Sequence, residues 1–388
     1  MNSTPQTGPG ERIVLTGATG FLGKELVRVL LRNRPEAHLA LFIRDSAKES
    51  AARRLDKLLA HCCDGHDQTE ARRRIEVFTA DTAAERCGLS ERDWARAADG
   101  ATRVIHSAAA VRFDSSAEEA RRANVGGTRH LLELGQEAAR RGTLRGYLHV
   151  STAYVAGCRE GTVREDELDT GQGFRNSYER SKCEAEGLVR ERVGELPAVI
   201  ARPSIVVGDS RTGATTSFHM LYWPLRAYVQ KGWRLVPGRP QTPVDMVPVD
   251  FVAEAAAHLA FAPEAIGRCF HLCAGPKRAT TIGEIAHAAA RYFNAPPPRF
   301  VNPALFIALL RPVLTLVLWG PKRRILQKGG FYRPYLDMQL EFDTTQADAL
   351  LAPAGIEPPQ AMEYLERLFA YCVASDWGRR PAAPASML

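Results

Sequence analysis

The chain has 388 residues, with 51 Lys and Arg against 44 Asp and Glu and 45% apolar residues. That is an ordinary globular composition, long enough to bury a large core. The balance of +7 is spread in short groups, with no long basic tract carrying interleaved aromatics. This argues against a nucleic-acid partner and suits an acidic protein partner or an anionic cofactor. Cys62, Cys63, Cys87, Cys158, Cys183, Cys269, Cys273 and Cys372 form neither a disulfide framework nor a zinc knuckle, which points to a reducing, cytoplasmic setting. The segment His61-Cys62-Cys63-Asp64-Gly65-His66-Asp67 reads as a polar surface loop, since no paired ligand motif completes it, and no metal is expected.

The stretch Met1–Glu11 is polar and lacks the apolar core of a signal peptide; residues 1–10 are expected to be disordered. Strand-like and helix-like segments then alternate. Ile13–Thr16 is a short apolar run, and Phe21–Arg32 carries Leu22, Leu26, Val29 and Leu30 at helical spacing. His38–Ile43 reads as a strand and Ala47–Leu59 as a charged helix. Ile75–Phe78, Arg103–His106 and Gly146–Val150 are further strands, the last two separated by a long helix from about Ala117 to Arg141. Asn176–Val193 is helical and Ala198–Ala201 is a strand. The alternation predicts an α/β fold with a doubly wound parallel Rossmann sheet.

Residues 208–245 are rich in Gly, Pro, Trp and Tyr and show no period. Val247–Ala260 recovers a strand and a helix, and Arg268–Cys273 another strand. Residues 276–388 read as mostly helical, with Pro-rich breaks at 296–298 and 358–359. The division expected is a nucleotide-binding domain over 11–207, with 244–275 returning to it. A smaller, mainly helical substrate-binding cap takes 208–243 and 276–378, and 379–388 is a flexible tail. Ala304–Trp319 is the longest apolar tract, interrupted by Arg311 and Pro312 and too short to span a bilayer. It reads either as a buried cap helix with a basic C-terminal end, Lys322-Arg323-Arg324 and Lys328, or as the border of a hydrophobic tunnel or a shallow membrane-facing surface. In the second case the cations would receive an acidic partner.

The first strand runs into Thr16-Gly17-Ala18-Thr19-Gly20-Phe21-Leu22-Gly23. Gly17 permits the tight turn, Gly20 lets backbone approach a pyrophosphate, and Gly23 lets the helix pack on the strand. The helix N-terminus then faces the phosphates. At the end of the second strand stands Arg44, suited to the 2′-phosphate of NADPH, with Lys48, Arg53 and Arg54 beyond; Asp45 is the dissenting residue. Further on, Ser151-Thr152 ends a strand, and Tyr178 and Lys182, four apart, share a helical face. A nearby ammonium would lower the phenol pKa and bind the nicotinamide ribose, so that Tyr178 passes a proton to a developing alkoxide while Thr152 bonds the same oxygen.

With these segments stand Asp81…Gly88-Leu89-Ser90, Val104-Ile105-His106-Ser107-Ala108-Ala109-Ala110-Val111-Arg112-Phe113, Asn124-Val125-Gly126-Gly127-Thr128, Ser151-Thr152-Ala153-Tyr154-Val155, Arg202-Pro203-Ser204-Ile205-Val206-Val207-Gly208-Asp209, Val244–Ala253 and Leu340-Glu341-Phe342-Asp343. Together they resemble the extended short-chain dehydrogenase/reductases, in the thioester reductase and fatty acyl reductase (male sterility-like) branch, over residues 12 to about 350. The resemblance implies Thr152, Tyr178 and Lys182 as a catalytic triad. It implies Gly17, Thr19, Gly20, Phe21, Leu22, Gly23, Arg44, Asp81, Ala108 and Pro203, with Tyr178 and Lys182, as cofactor contacts, and Asn124 as a helix-kink residue near the site. Val125-Gly126-Gly127 makes that turn looser than usual in the branch.

The implied reaction is NADPH-dependent reduction of an acyl thioester, on an acyl carrier protein or coenzyme A supplied in trans, to the aldehyde and in a second reduction to the alcohol. Peripheral membrane contact is a further expectation, and the oligomeric state is left open. Alternatives are a reductase of a sterol-like ketone or alcohol, a sugar-nucleotide epimerase, and a non-enzymatic NADP sensor; the Tyr/Lys pair argues against the last.

Overall fold

The computed structural model describes residues 10–63, 67–111, 115–320 and 333–380, with Arg323 and Leu326 between. Most of the expected disordered N-terminus and of the tail lies outside the described residues, as do Asp64–His66 of the cysteine loop, Arg112 and Phe113, and the cations Lys322, Arg324 and Lys328.

Seven parallel strands form the central sheet: β1 (Arg12–Thr16), β2 (His38–Ile43), β3 (Ile75–Thr79), β4 (Arg103–His106), β5 (Gly146–Val150), β6 (Ala198–Pro203) and β7 (Cys269–Leu272). Their order is β7-β6-β5-β4-β1-β2-β3, the doubly wound arrangement expected from the alternation. The chain proceeds outward from β1 to β3, then returns to start β4 on the other side of β1. Ligands bind such sheets at this switch point, beyond the carboxyl ends of the strands.

The two faces separate by simple alternation along each strand. Ile13, Leu15, Leu39, Leu41, Ile105 and Leu148 pack on α1 (Phe21–Asn33), α2 (Ala51–Cys62) and α7 (Val249–Leu259). Val14, Phe42, Val104, Tyr147 and Ile200 pack on α3 (Glu91–Ala98), α4 (117–140) and α5 (Ser177–Arg190). Near the strand ends the second face turns polar: Thr16, His106, His149, Arg202 and His271 are all buried.

Helix α4 is built from Ala117–Arg121, a π-helical turn Arg122–Gly126 and Gly127–Arg140. Ser116 and Glu119 form a capping box that fixes its start. The wide turn falls on the Asn124–Gly127 segment singled out in the sequence. Helix α2 starts at Ala51 and not Ala47, because Ser50 is the N-cap and accepts the Arg53 amide at 3.4 Å.

Outside the sheet, α6 (Tyr222–Lys231), α8 (Ile282–Tyr292) and α9 (Ala361–Ala374) gather round Leu225, Tyr228, Ala289, Leu365 and Phe369. Short strand pairs stitch this part together: Ile205–Val207 with Met246–Pro248, Leu235–Pro237 with Arg299–Val301, and Gly161–Val163 with Leu340–Phe342. Leu235–Pro237 and α6 lay in the stretch read as aperiodic, and Arg299–Val301 and Leu340–Phe342 in the one read as mostly helical, whereas a strand was expected at the start of Val247–Ala260; strands of three residues are too short to display a period.

The buried-helix reading of Ala304–Trp319 is overturned. The tract is helical over Pro303–Leu305, Phe306–Leu310 and Arg311–Val317. Only Phe306 is buried, while Leu309 is 60%, Leu316 79% and Trp319 78% exposed. Its apolar residues surround the helix instead of lining one stripe, so a single packing face cannot cover them.

Candidate active site

The glycine loop joins β1 to α1 at the switch point. Gly17 has φ +76°, and a β-carbon there would lie 2.7 Å from the Ala108 amide nitrogen. Gly20 donates its amide to the Gly17 carbonyl at 2.8 Å. A β-carbon on Gly23 would lie 1.9 Å from that same carbonyl oxygen. The loop is thus drawn tight against both α1 and the turn after β4, where Ala108 donates its amide to Thr16 Oγ1 at 3.3 Å. No acid stands in the first turn of α1 and no side chain caps it, so its amides remain available to an anion. Phe21 and Leu22 are half-buried in that turn. A phosphate-bearing dinucleotide fits this cradle.

Beyond β2, Arg44 is 64% exposed and stands 3.8 Å from Asp81 Oδ2. Asp45 is turned away from this corner: its Oδ1 accepts the Ala51 amide at the start of α2, at 2.6 Å. Arg54 closes the corner. Its guanidinium donates to the Arg44 carbonyl at 2.6 Å and to Thr19 Oγ1, bringing a second cation onto the glycine loop.

Tyr178 and Lys182 lie in the first two turns of α5, which begins where Asn176 accepts the Glu179 amide at 3.0 Å. The Tyr178 and Thr152 side chains are hydrogen-bonded to each other. Thr152 in turn donates to the Pro203 carbonyl at 3.4 Å, so the end of β5, the end of β6 and α5 meet at one hydroxyl pair. The Lys182 ammonium donates to the Val150 carbonyl at 2.8 Å and to His149 Nε2 at 3.3 Å. Burial draws its pKa down to about 8, against the opposing pull of Glu186.

The tyrosine departs from expectation. Burial pushes the Tyr178 phenol up to about 12, with the Thr152 bond opposing and the Glu179 carboxylate adding to the rise. Lys182 directs two of its hydrogen bonds to His149 and Val150 of β5.

The surroundings hold these groups rigidly. Asn124, in the π-turn of α4, accepts the Ala110 amide at 2.8 Å and donates to Ser181 Oγ at 2.9 Å, linking the loop after β4 to the helix of Tyr178. One turn past Lys182, Glu186 is wholly buried and takes two bonds from Arg202, at 2.9 and 2.7 Å, and one from Ser151 at 2.7 Å. Burial works against the Glu186 carboxylate, but Arg202, Arg190 and Ser151 outweigh it and hold its pKa low.

An apolar cavity of about 360 Å³ is lined by Ile205, Met246, Ala286, Ala289, Phe306 and Tyr335 among others, with Arg311 as a charged lining residue. Tyr335 connects it to α5: its hydroxyl donates to Glu179 Oε1 at 2.6 Å and accepts from Asn176 Nδ2 at 2.7 Å. The cavity wall therefore bonds the two residues that flank the tyrosine's own turn.

Residues 15–256 match the family described as Male sterility protein, an NAD-binding family. The chain belongs to that family. Among its relatives, the nonribosomal peptide synthetase asaC of Aspergillus flavus is 30% identical over 67% of this chain and 26% of its own length. Fatty acyl-CoA reductase 1 of Rattus norvegicus is 28% identical over 66% of this chain and 55% of its own. The chain thus spans about half or less of those relatives. The terminal R domain from the myxalamid PKS-NRPS biosynthetic pathway superposes with a TM-score of 0.80 at 26% identity, covering 98% of this chain and 94% of that one.

Within this family member, the residues read from the sequence fall into two groups around the switch point. Gly20, Gly23 and Ala108 each close on Gly17, while Arg54 ties Thr19 to Arg44 and Arg44 stands by Asp81. Thr152, Tyr178, Lys182 and Pro203 form the second group. Sequence reasoning placed Arg54 only among the cations beyond Arg44, without a contact to the glycine loop, and passed over Glu186, His149 and Tyr335. Only Arg54 had a signal: the N-cap Ser50 sets the start of α2 and so brings Arg54 round to the glycine loop. Among the described residues no cluster of His, Cys, Asp or Glu could hold a metal ion, and no helix is long and apolar enough to cross a membrane.

Proposed function

We propose that the chain is an NADPH-dependent reductase of acyl thioesters, with the acyl group presented on coenzyme A or an acyl carrier protein. The observation that carries this reading is the Thr152–Tyr178 hydroxyl pair set beside an apolar cavity whose Tyr335 bonds the same helical turn. Gly17, Gly20 and the first turn of α1 would hold the pyrophosphate, Lys182 the nicotinamide ribose, and Arg44 with Arg54 the 2′-phosphate. Asp45 is committed to the Ala51 amide, which favours NADPH over NADH.

Bound there, the cofactor supplies the hydride that reduces the thioester carbon. The two hydroxyls of Thr152 and Tyr178 hold the oxygen on which negative charge grows, where preorganised donors are most effective. Collapse of that adduct releases the aldehyde and a thiolate, which takes its proton from solvent. In a second round Tyr178 gives its phenolic proton to the alkoxide. The cavity takes the acyl chain and keeps water from it. The scattered cysteines support a reducing, cytoplasmic setting.

The test is to incubate the protein with NADPH and a panel of acyl-CoA thioesters, ketosteroids and sugar nucleotides, following NADPH oxidation and trapping the aldehyde. Consumption with ketosteroids or sugar nucleotides, and none with thioesters, would overturn the reading.

A second reading concerns where the enzyme works. The exposed Leu305, Leu309, Val313, Leu316 and Trp319 share a helical tract with the cavity residues Phe306 and Arg311. Apolar side chains with a terminal Trp and flanking Arg suit shallow insertion at a lipid interface. Co-sedimentation with phosphatidylglycerol vesicles that is lost on Leu309→Asp and Leu316→Asp supports this contact; vesicle binding unchanged by both substitutions rejects it.

A further inference from the structure

We infer that His149 is a positioning residue, a neutral acceptor whose Nε2 sets the direction of the Lys182 ammonium. The inference rests on the catalytic reading of Lys182 given above.

His149 lies one residue before the end of β5 and is fully buried. Its Nε2 faces Lys182 Nζ at 3.3 Å, while the neighbouring Val150 carbonyl accepts from the same nitrogen at 2.8 Å. An ammonium has three N–H bonds in tetrahedral array. Two of them fixed on adjacent residues of one strand leave a single direction for the third, the one free to serve the reaction. Accepting at Nε2 places the imidazole proton on Nδ1, which is buried without a partner among the described residues. Elsewhere the same face of the sheet is filled by Val14, Val104, Tyr147 and Ile200. An apolar side chain would pack at this position without stranding a nitrogen. The feature such a side chain lacks is the acceptor opposite Lys182.

The charges around the pair agree. Lys182 faces Glu186 on its own helix, His149 on β5 and His106 on β4, and it lies one turn from Tyr178. Glu186 is itself occupied by Arg202, Arg190 and Ser151. His106 stands with its ring centroid 5.4 Å from that of His149 and its Nδ1 bonded to Thr16 Oγ1 at 2.8 Å. Burial, then Lys182, then His106 hold His149 well below the ordinary histidine pKa, and burial with Lys182 draws His106 down to about 3. Both rings therefore stay neutral across the working range, and His149 stays an acceptor.

The experiment compares His149→Gln, His149→Asn and His149→Leu with wild type and with Lys182→Met. It measures kcat, KM for NADPH and the pH profile of kcat on an acyl-CoA, with melting temperature and NADPH binding as checks on folding. Glutamine carries its amide oxygen near the place of Nε2; asparagine reaches only to that of Nδ1. Lys182→Met should lose about a hundredfold or more in kcat. His149→Leu should lose about tenfold, the worth of one charge-assisted hydrogen bond. Its alkaline limb, near pH 8 from the lysine, should move to lower pH, because removing an acceptor disfavours the ammonium. His149→Gln should restore both kcat and limb, and His149→Asn should not.

A folded His149→Leu protein with wild-type kcat and an unmoved limb overturns the inference. If the leucine variant does not fold, equal kcat for the Gln and Asn variants overturns it. Loss of activity in Lys182→Met with normal behaviour of every His149 variant removes this inference alone. Full activity of Lys182→Met removes the triad reading and this inference with it.

Discussion

Gly23 sits so close to Gly17 that a β-carbon on the former would lie 1.9 Å from the latter's carbonyl oxygen. Helix α1 and the turn before it therefore cannot separate by even a methyl group. Gly23→Ala must push the helix off the loop. Overpacking of this kind costs about 1–3 kcal/mol, and NADPH affinity should fall with it. Calorimetric melting and nucleotide titration check this, with Gly194→Ala as the control, since a β-carbon at Gly194 meets nothing within 4 Å. Equal behaviour of the two variants would contradict the close-packing argument.

Tyr178→Phe removes the hydroxyl bonded to Thr152. The protein should fold and bind NADPH normally, and turnover to the alcohol should fall by about a hundredfold or more. The first reduction should suffer less, because the tetrahedral adduct can collapse without a proton from this residue. Single-turnover assays on thioester and on free aldehyde separate the two, and wild-type aldehyde reduction would remove Tyr178 from the mechanism.

Arg44→Ala should weaken NADPH far more than NADH, by about ten- to a hundredfold, the equivalent of one charge-assisted contact. Arg54→Ala is expected to weaken both nucleotides, because Arg54 also braces Thr19 in the glycine loop. Equal losses for both nucleotides in Arg44→Ala would make Arg44 a structural residue.

Glu186→Gln leaves the buried Arg202 guanidinium without its charge partner. Breaking such a pair on one side costs about 3–5 kcal/mol. The folded-state pKa of Glu186 is held low, so its contribution is present above its unfolded value near 4.5 and fades as pH falls through the lower folded value. Urea unfolding should show a full stability gap between wild type and variant at pH 7 that narrows below about pH 4. A gap constant with pH would show that packing, not charge, supplies it.

Ala286 lines the apolar cavity. Ala286→Phe should shorten the usable acyl chain: short thioesters are reduced as before, and long ones lose up to about 0.8 kcal/mol of binding for each methylene excluded. A KM series over chain length decides. A parallel rise at every length would place the acyl group elsewhere.

The sheet was legible in the sequence because each central strand is a buried run flanked by amphipathic helices, and His38–Ile43, Arg103–His106 and Gly146–Val150 coincide with the observed strands. The glycine loop and the Thr152, Tyr178 and Lys182 positions were legible for the same reason: local spacing carries them. What was hidden depends on contacts between distant segments. Nothing near Glu186 announces Arg202 sixteen residues on, and nothing near Tyr335 announces Glu179. The tract Ala304–Trp319 admitted both a buried and a surface reading, because apolar content alone does not tell a packed helix from an exposed one.

The π-helical turn at Arg122–Gly126 amounts to one residue more than an α-helix of the same length would contain. Each residue advances an α-helix by about 100°, so the turn rotates everything before it relative to everything after. It is this phase offset that lets Asn124 face Ala110 and Ser181 while Leu131 and Leu134 still reach the sheet. The helix is therefore more sensitive to length than to composition here. Deleting a single residue from 122–126 would relax the turn into regular helix with both halves still seated, at the cost of the widened turn that presents Asn124 to Ala110 and Ser181, whereas exposed side chains on the same turn can be exchanged with little effect.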